Sequence, residues 1–557
     1  MYEQIYDPVA NSLGWSSIFA VLPLVTLFIM LGLLRIPAQW AALTALGVAI
    51  VVALAAYDMP VGQAFDSAWE GATFGLFPIM WIVVNAIWIY NMTVESGHFE
   101  VLRRSFGVIS DDQRIQAVLI AFSFGALIEA LAGFGTPVAI SAVMLLALGF
   151  RPIKAAAVAL VANTAPVAFG AIAIPITTLA EVSGQPVDDL GSMVGRQTPF
   201  LALIVPLILV GMVDGRRGIR QAWPAAVVGG VAFAIGQFVT SNYISVELTD
   251  IIASLASAAA IVLLLQIWRP GEVISAEPEA PPRPAMAGGS VSDPSFEREV
   301  GTRGPGERDR PIEVVRAYAP YVIIIVIFAL AQISWLPFVD WLDKPTKEFH
   351  WPGLNVVNPE GKEPSSAMFT FNWLSAAGTL LLISGLLTIP VIALRPLQAV
   401  RAWGRTVHQL RWAIVTVVSV LALAFVMNFS GETITLGLWL AGAGGFFAFL
   451  SPLLGWFGVA VTGSDTSSNS LFGALQVAAA KDAHLQPVLM AASNSSGGVL
   501  GKMISPQNLA IGAAAVAMGG REGEIFRRVL GWSLVLILLM CVLAYLQSKG
   551  VLSWMVP

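Results

Sequence analysis

Three ionisable side chains lie where the chain is otherwise apolar: Glu129 in "GALIEALAGFGTP", Asp465 in "TGSDTSSNS" and Lys502 in "GKMISPQN". A charge at the centre of a bilayer costs at least ~2.5 kcal/mol unless it faces a cavity or a partner. Desolvation favours the neutral form of a carboxyl group, which suits Glu129 or Asp465 to load and release a proton. Lys502 offers a counter-charge to an anionic ligand or to Asp465, and a buried ion pair that only fixes helix packing is the competing reading. Thr466 and Ser467 follow Asp465, and Asn494, Ser495 and Ser496 recur in "AASNSSGGVLG". Hydroxyls and amides both donate and accept, so this set fits a small ligand bearing a carboxylate and a hydroxyl, with a cation or proton nearby. A merely exposed polar loop is the alternative. The apolar flanks "GWFGVAV" and "LFGALQVAAA" speak against it.

A second constellation lies earlier, at Gly133, Phe134, Gly135, Thr136 and Pro137, paired with Asn163 and Thr164 ahead of Pro166. Glycine tolerates positive φ and close backbone approach, and proline suits the first turn of a new helix. The new helix would turn free N–H groups toward an anion. Small residues also serve helix packing, which stays open for the two glycines.

These residues need a frame, and composition says which. Of the 557 residues 57% are hydrophobic and 12% charged, which excludes an ordinary soluble chain and predicts an all-α polytopic membrane protein. The acidic start, Glu3 and Asp7, argues against a cleaved signal peptide. Cys541 is the single cysteine and the four histidines fall outside apolar runs, so no metal set or Cys/His pair is expected. No Walker A pattern is present, and nothing in the net charge of -5 suggests nucleic acid.

About twelve spans are expected, near 15–34, 38–57, 71–92, 155–180, 199–213, 222–241, 250–268, 318–337, 370–394, 411–429, 487–519 and 529–547. Two apolar pairs, 115–150 and 445–480, are each split by a break and read as re-entrant hairpins. Alternate loops then hold 23 of the 30 lysines and arginines, which sets that side in the cytoplasm and both termini outside. The stretch 395–411 reads as an interfacial helix at that side. Arg196 is either an interface anchor or a substrate-attracting charge. Asn85, Asn91, Asn428 and Gln507 could line a pathway or serve as interhelical glue.

The layout repeats. A break ("AGFGTPVAI" or "TGSDTSSNS"), a second arm, and a long span interrupted by "VANTAPVAFG" or "AASNSSGGVLG" occur in both halves, with 30 residues from Gly133 to Asn163 and 31 from Gly463 to Asn494. The charge-derived topology inverts one unit relative to the other, an arrangement of secondary transporters. The expected organisation is a first repeat at 1–213, a connecting helix pair at 214–268, a disordered cytoplasmic linker at 269–316 and a second repeat at 317–557.

Taken together, "GFGTPVAI", "NTAPVAFGA", "VGRQTPF", "LTDIIASL", "TGSDTSSN" and "GKMISPQ" resemble the lactate permease family over nearly the whole chain. The resemblance implies proton-coupled symport of L-lactate, with D-lactate and glycolate as related substrates, across the bacterial cytoplasmic membrane, without a cofactor beyond the proton. It also implies membrane lipid as surroundings and allows a homodimer. "ANT" at 162–164 and "SNS" at 493–495 are similar to the hairpin tips of related carriers with one position altered, which favours protons over sodium as the coupling ion. On this reading Gly135, Thr136, Asn163, Thr164, Ser495, Ser496 and Lys502 hold a carboxylate. Asn494, Thr466 or Ser467 meet its hydroxyl, and Glu129 or Asp465 carries the proton. A sodium-coupled carrier is the nearest rival, ahead of a channel or a membrane enzyme.

Overall fold

Backbone polar groups in lipid find no water, so apolar runs close their hydrogen bonds within each segment, as helices. The computed structural model describes residues 1–34, 36–107, 109–133, 135–274, 309–332, 341–359, 361–364, 367–518 and 521–557. Most of the expected linker (275–308) and Phe134 lie outside these residues. Among the described residues ten helices are long and apolar enough to cross a membrane, or eleven if the bent pair Pro152–Ala162 and Val167–Ser183 counts as one span.

The count differs from about twelve because runs that fold back, shorten or break in the structure are not each one long helix. Expected spans 199–213 and 222–241 lie in one helical run, Pro199–Tyr243, interrupted only at Asp214 and Gly215 (φ 60°, ψ -147°). The halves fold back on each other there, since Thr198 Oγ1 donates to Gln237 Oε1 at 3.0 Å. Expected span 370–394 contracts to the 15-residue helix Ala377–Val391, because Met368–Phe371 is drawn into a strand. Conversely, Gln113–Leu131 and Gly444–Thr462, read from sequence as re-entrant arms, are each long enough to cross.

The stretch 395–411 also departs from expectation. It is no separate interfacial helix but the opening of one 35-residue helix, Pro396–Ser430. At 1.5 Å per residue such a helix exceeds the ~30 Å hydrocarbon core, so its basic end extends beyond lipid while the helix stays continuous.

Among the described residues, sheet is confined to two small pairs. Lys347–His350 runs antiparallel to Met368–Phe371, and Tyr2–Glu3 lies parallel to Val356–Val357. The Tyr2 hydroxyl is 2.9 Å from the carbonyls of both Tyr57 and Ser430. The amino terminus, the segment around Val356 and the helix ends near Tyr57 and Ser430 therefore share one face of the molecule.

Two helical hairpins and two interrupted helices form the interior. In the first hairpin the arm Gln113–Leu131 turns at Gly133 and Gly135 into Thr136–Ala147. In the second, Phe447–Thr462 turns at Gly463 into Asp465–Asp482, and Gln476 Nε2 donates back to the Ser451 carbonyl at 3.0 Å. The first interrupted helix bends by 66° across 163–166. The second runs from Pro487–Gly501 through a short turn, Lys502–Ile504, to Pro506–Ala515. It packs on the second hairpin through Gly455, Gly497 and Gly501, where a Cβ would overlap the carbonyls of Asn494, Pro452 and Trp456 respectively. Small residues are what allow backbones in a membrane to come this close.

Candidate functional site

The two hairpin tips converge on one short segment. Gly135 (φ 81°) precedes the helix that begins at Thr136, and a Cβ there would overlap Ile511 Cδ1 and stand 3.3 Å from Asn508 Oδ1. From the other tip, the Gly463 carbonyl accepts from Asn508 Nδ2 at 3.2 Å. Both glycines hold positive φ, which only an unbranched backbone accepts without strain. Asn508 is positioned by Ser505, whose Oγ caps the helix by accepting from the Asn508 N–H at 3.3 Å.

Beside these tips lie the charges. Lys502 Nζ donates to Glu129 Oε1 at 2.6 Å, and Asn163 Nδ2 donates to Glu129 Oε2 at 2.9 Å. Exposure is 3% for Glu129 and 6% for Lys502. Space for the Glu129 carboxylate comes from Gly170, where a Cβ would lie 2.7 Å from Oε1. Asp465 stands at the start of its helix, its Oδ2 accepting from Ser495 Oγ at 2.5 Å and from Asn469 Nδ2 at 3.4 Å. A Cβ at Gly498 would overlap Asp465 Oδ1.

Sequence reasoning offered Asp465 as one partner for Lys502, and that choice is corrected here. The Asp465 carboxylate turns to Ser495 and Asn469, while Lys502 contacts Glu129 and acts on Asp465 only through space. The other expected residues divide. Asn494 is committed on both sides of its amide, donating to Asn469 Oδ1 at 2.9 Å and accepting from Gln476 Nε2 at 3.1 Å. Thr164 Oγ1 donates to the carbonyl of Val161 at 2.8 Å. The Thr136 N–H donates to the Gly133 carbonyl at 3.0 Å, and Gly133, rather than Gly135, faces Glu129. Thr466 and Ser467 are buried in the helical turn that carries Asp465. Four buried polar atoms among the described residues of this region have no hydrogen-bond partner: Asn163 Oδ1, Asp465 Oδ1, Gln476 Oε1 and Ser496 Oγ.

The first interrupted helix carries a feature that periodicity could not reveal. Ala171, Ile172 and Ala173 all adopt left-handed conformations, with φ of 46°, 60° and 56°. Such geometry costs an L-residue about 1–2 kcal/mol each and persists only where surrounding structure imposes it. The run begins next to Gly170, under the Glu129 carboxylate.

Several residues were missed. Asn469 joins Asp465 to Asn494 and also donates to the Pro175 carbonyl at 3.0 Å, tying the second hairpin to the first interrupted helix. Gln476 and Asn508 act similarly, and the polar-after-proline pattern of "SPQN" was the available signal for Asn508. Sequence reasoning also counted three intramembrane charges, whereas Glu70, Asp250 and Glu432 are buried too. Each lies within a few turns of a helix end, where a carboxylate reads as interfacial. Arg196 is an anchor, held by Asn242 Oδ1 at 2.8 Å and the Met555 carbonyl at 2.9 Å. Asn85 and Asn91 bond neighbouring helices at Gly378, Trp403 and Thr406.

The arrangement sets an ammonium paired with one carboxylate near a second carboxylate surrounded by hydroxyl and amide groups. It can recognise a small anion that also carries a hydroxyl.

Known proteins bear on this geometry. The family model described as L-lactate permease matches residues 16–549. The glycolate permease of Escherichia coli is 40% identical over 98% of each chain. The L-lactate permease of Bacillus subtilis is 40% identical over 100% of each. Among solved structures, Neisseria gonorrhoeae MtrF, from a class of antimetabolite efflux pumps, is 16% identical, with coverage of 87% of this chain and 84% of its own and a TM-score of 0.45. With a match that runs nearly end to end, this multi-pass membrane protein belongs to the L-lactate permease family and is a transporter, not an enzyme.

Proposed function

We propose that the chain moves lactate and glycolate across the bacterial cytoplasmic membrane together with protons. Relatives named for L-lactate and for glycolate, at 40% identity, support the substrate class. L-lactate, D-lactate and glycolate all carry a carboxylate beside a hydroxyl. The observation that carries the coupling is the Glu129–Lys502 pair at the junction of the first hairpin and the second interrupted helix. A substrate carboxylate and Glu129 compete for the same ammonium. Protonating Glu129 releases Lys502 to the substrate, so one anion and one proton enter without net charge. Asp465 then orders Ser495 and Asn469, and the substrate hydroxyl meets the free atoms of Ser496, Asn163 or Asp465.

The matching hairpin and interrupted helix in each half support two inverted repeats that rock about this site. The basic loops support a cytoplasmic side opposite the face shared by the amino terminus and Val356, and so support both termini lying outside. Uptake of labelled lactate into proteoliposomes under separate proton and sodium gradients tests the proposal. Accumulation driven by the pH gradient alone is expected; accumulation that needs sodium at fixed pH would replace the proton with sodium.

A further inference from the structure

Asp250, in the helix Thr249–Ile267, has 0% exposure and is the sole ionisable residue of that helix. Its Oδ1 accepts from Gln237 Nε2 at 3.1 Å, and its Oδ2 has no hydrogen-bond partner. Among the described residues no lysine or arginine pairs with it. A buried carboxylate held by one neutral amide is a costly charge, and such a group is relieved by taking a proton.

Its position connects it to the transport centre by two routes. The first is a helix seam. Ser257 Oγ and Ser123 Oγ lie 2.9 Å apart, joining this helix to the first hairpin arm. The two helices run in opposite directions, so seven residues back from Ser257 is Asp250 and seven forward from Ser123 is Ala130. Asp250 thus falls at the level of Glu129, which acts on it electrostatically. The second route is Gln237, whose Nε2 also donates to the Ala165 carbonyl at 3.2 Å, inside the break of the first interrupted helix, and whose Oε1 accepts from Thr198. A charged Asp250 would draw that amide away from Ala165, and a neutral one leaves it shared.

We propose that Asp250 is a second protonation site of the transport centre, holding a proton while the Glu129–Lys502 pair is closed. The groups facing it are Glu129 from the hairpin arm, uncharged Gln237 from the run Pro199–Tyr243 and the Ala165 carbonyl from the interrupted helix; Lys502 lies beyond Glu129. Two carboxylates at one level of a membrane do not both remain charged at ease. Glu129 has an ammonium partner in Lys502 and Asp250 has none, so the proton goes to Asp250. Asp250 is a positioning residue, acting through Glu129 and through Gln237 on the break.

The inference rests on the proton-coupled reading for its role in transport, and its test has a readout independent of transport. Infrared difference spectra of the reconstituted protein at neutral pH should contain a protonated carboxylic-acid carbonyl band that is lost in Asp250→Asn and altered in Glu129→Gln. A spectrum unchanged by Asp250→Asn overturns the proposal. If that variant does not fold, Gln237→Leu decides, since loss of the amide donor should move the same band and an unmoved band overturns it. In transport, Asp250→Asn should lose the pH dependence of lactate accumulation while lactate–lactate exchange continues. A wild-type protein that ignores the pH gradient would remove the proton-coupled reading, and the infrared band would still decide the state of Asp250.

Discussion

Glu129 Oε1 and Lys502 Nζ, 373 residues apart in the chain, stand 2.6 Å apart with both side chains almost fully buried. The pair joins the first hairpin to the second interrupted helix, so it crosses between the two halves of the molecule. Any motion that separates those elements must break it or hand one partner to a substitute. In the proposed mechanism a substrate carboxylate is such a substitute for Glu129.

The pair therefore predicts asymmetric single and double variants. Lys502→Met leaves Glu129 buried without its cation and should destabilise the protein by about 3–5 kcal/mol, as truncating one side of a buried pair does. Glu129→Gln with Lys502→Met should recover most of that loss. Thermal unfolding in detergent measures both. Lactate uptake should be abolished by Lys502→Met, whereas Glu129→Gln should retain exchange and lose accumulation driven by a pH gradient.

Much of this site was legible because burying charge in lipid is costly and helix breaks need glycine or proline. Glu129, Asp465 and Lys502 stood out against apolar flanks, and "GFGTP" and "TGSDTSS" marked both turns. Which charges pair was not legible, since Lys502 is equally a partner for either carboxylate until side-chain directions are fixed. Asn494 looked like a ligand because its type allows it, yet Asn469 and Gln476 occupy both ends of its amide. Asp250 was overlooked because a carboxylate at a helix start usually reaches water. The left-handed run at 171–173 had no signal, for its residues are alanine and isoleucine.

Gly498 predicts a loss of binding with a modest loss of stability. A methyl there would overlap Asp465 Oδ1, while the helix itself would benefit from alanine. Gly498→Ala should push the Asp465 carboxylate off Ser495 and press on Val459 Cγ2, weakening lactate binding and lowering stability by about 1–3 kcal/mol. Isothermal titration of the purified protein with L-lactate checks the first effect, and thermal unfolding the second. The same substitution at Gly455, which would overlap the Asn494 carbonyl, should lower stability and yield.

The pairing of Tyr2–Glu3 with Val356–Val357 predicts a shared side of the membrane for two segments far apart in sequence. Cys541 is buried and is the sole cysteine, so Cys541→Ser gives a silent background. Single cysteines introduced by Asp7→Cys and Lys362→Cys should both react with a membrane-impermeant maleimide added to intact cells. Arg401→Cys should react only after permeabilisation. Labelling of Asp7→Cys and Lys362→Cys from opposite sides would contradict the fold, and labelling of both from inside would invert the topology.

The left-handed run predicts a neutral to stabilising substitution beside the candidate site. Glycine at Ala171 would release about 1–2 kcal/mol of backbone strain and add about 0.5–1 kcal/mol of chain entropy to be lost on folding. It would also remove a Cβ that packs against Gly133, next to Glu129. The net effect on stability should be neutral to stabilising by about 1 kcal/mol, a shift of a few degrees or less in thermal unfolding. Transport should respond differently, because the strained turn fixes the floor under Glu129. Ala171→Gly is expected to lower the rate of lactate uptake while leaving the protein at least as stable as wild type. A variant that is both less stable and slower would show that Ala171 serves packing alone, and one with unchanged uptake would show that the turn does not govern Glu129.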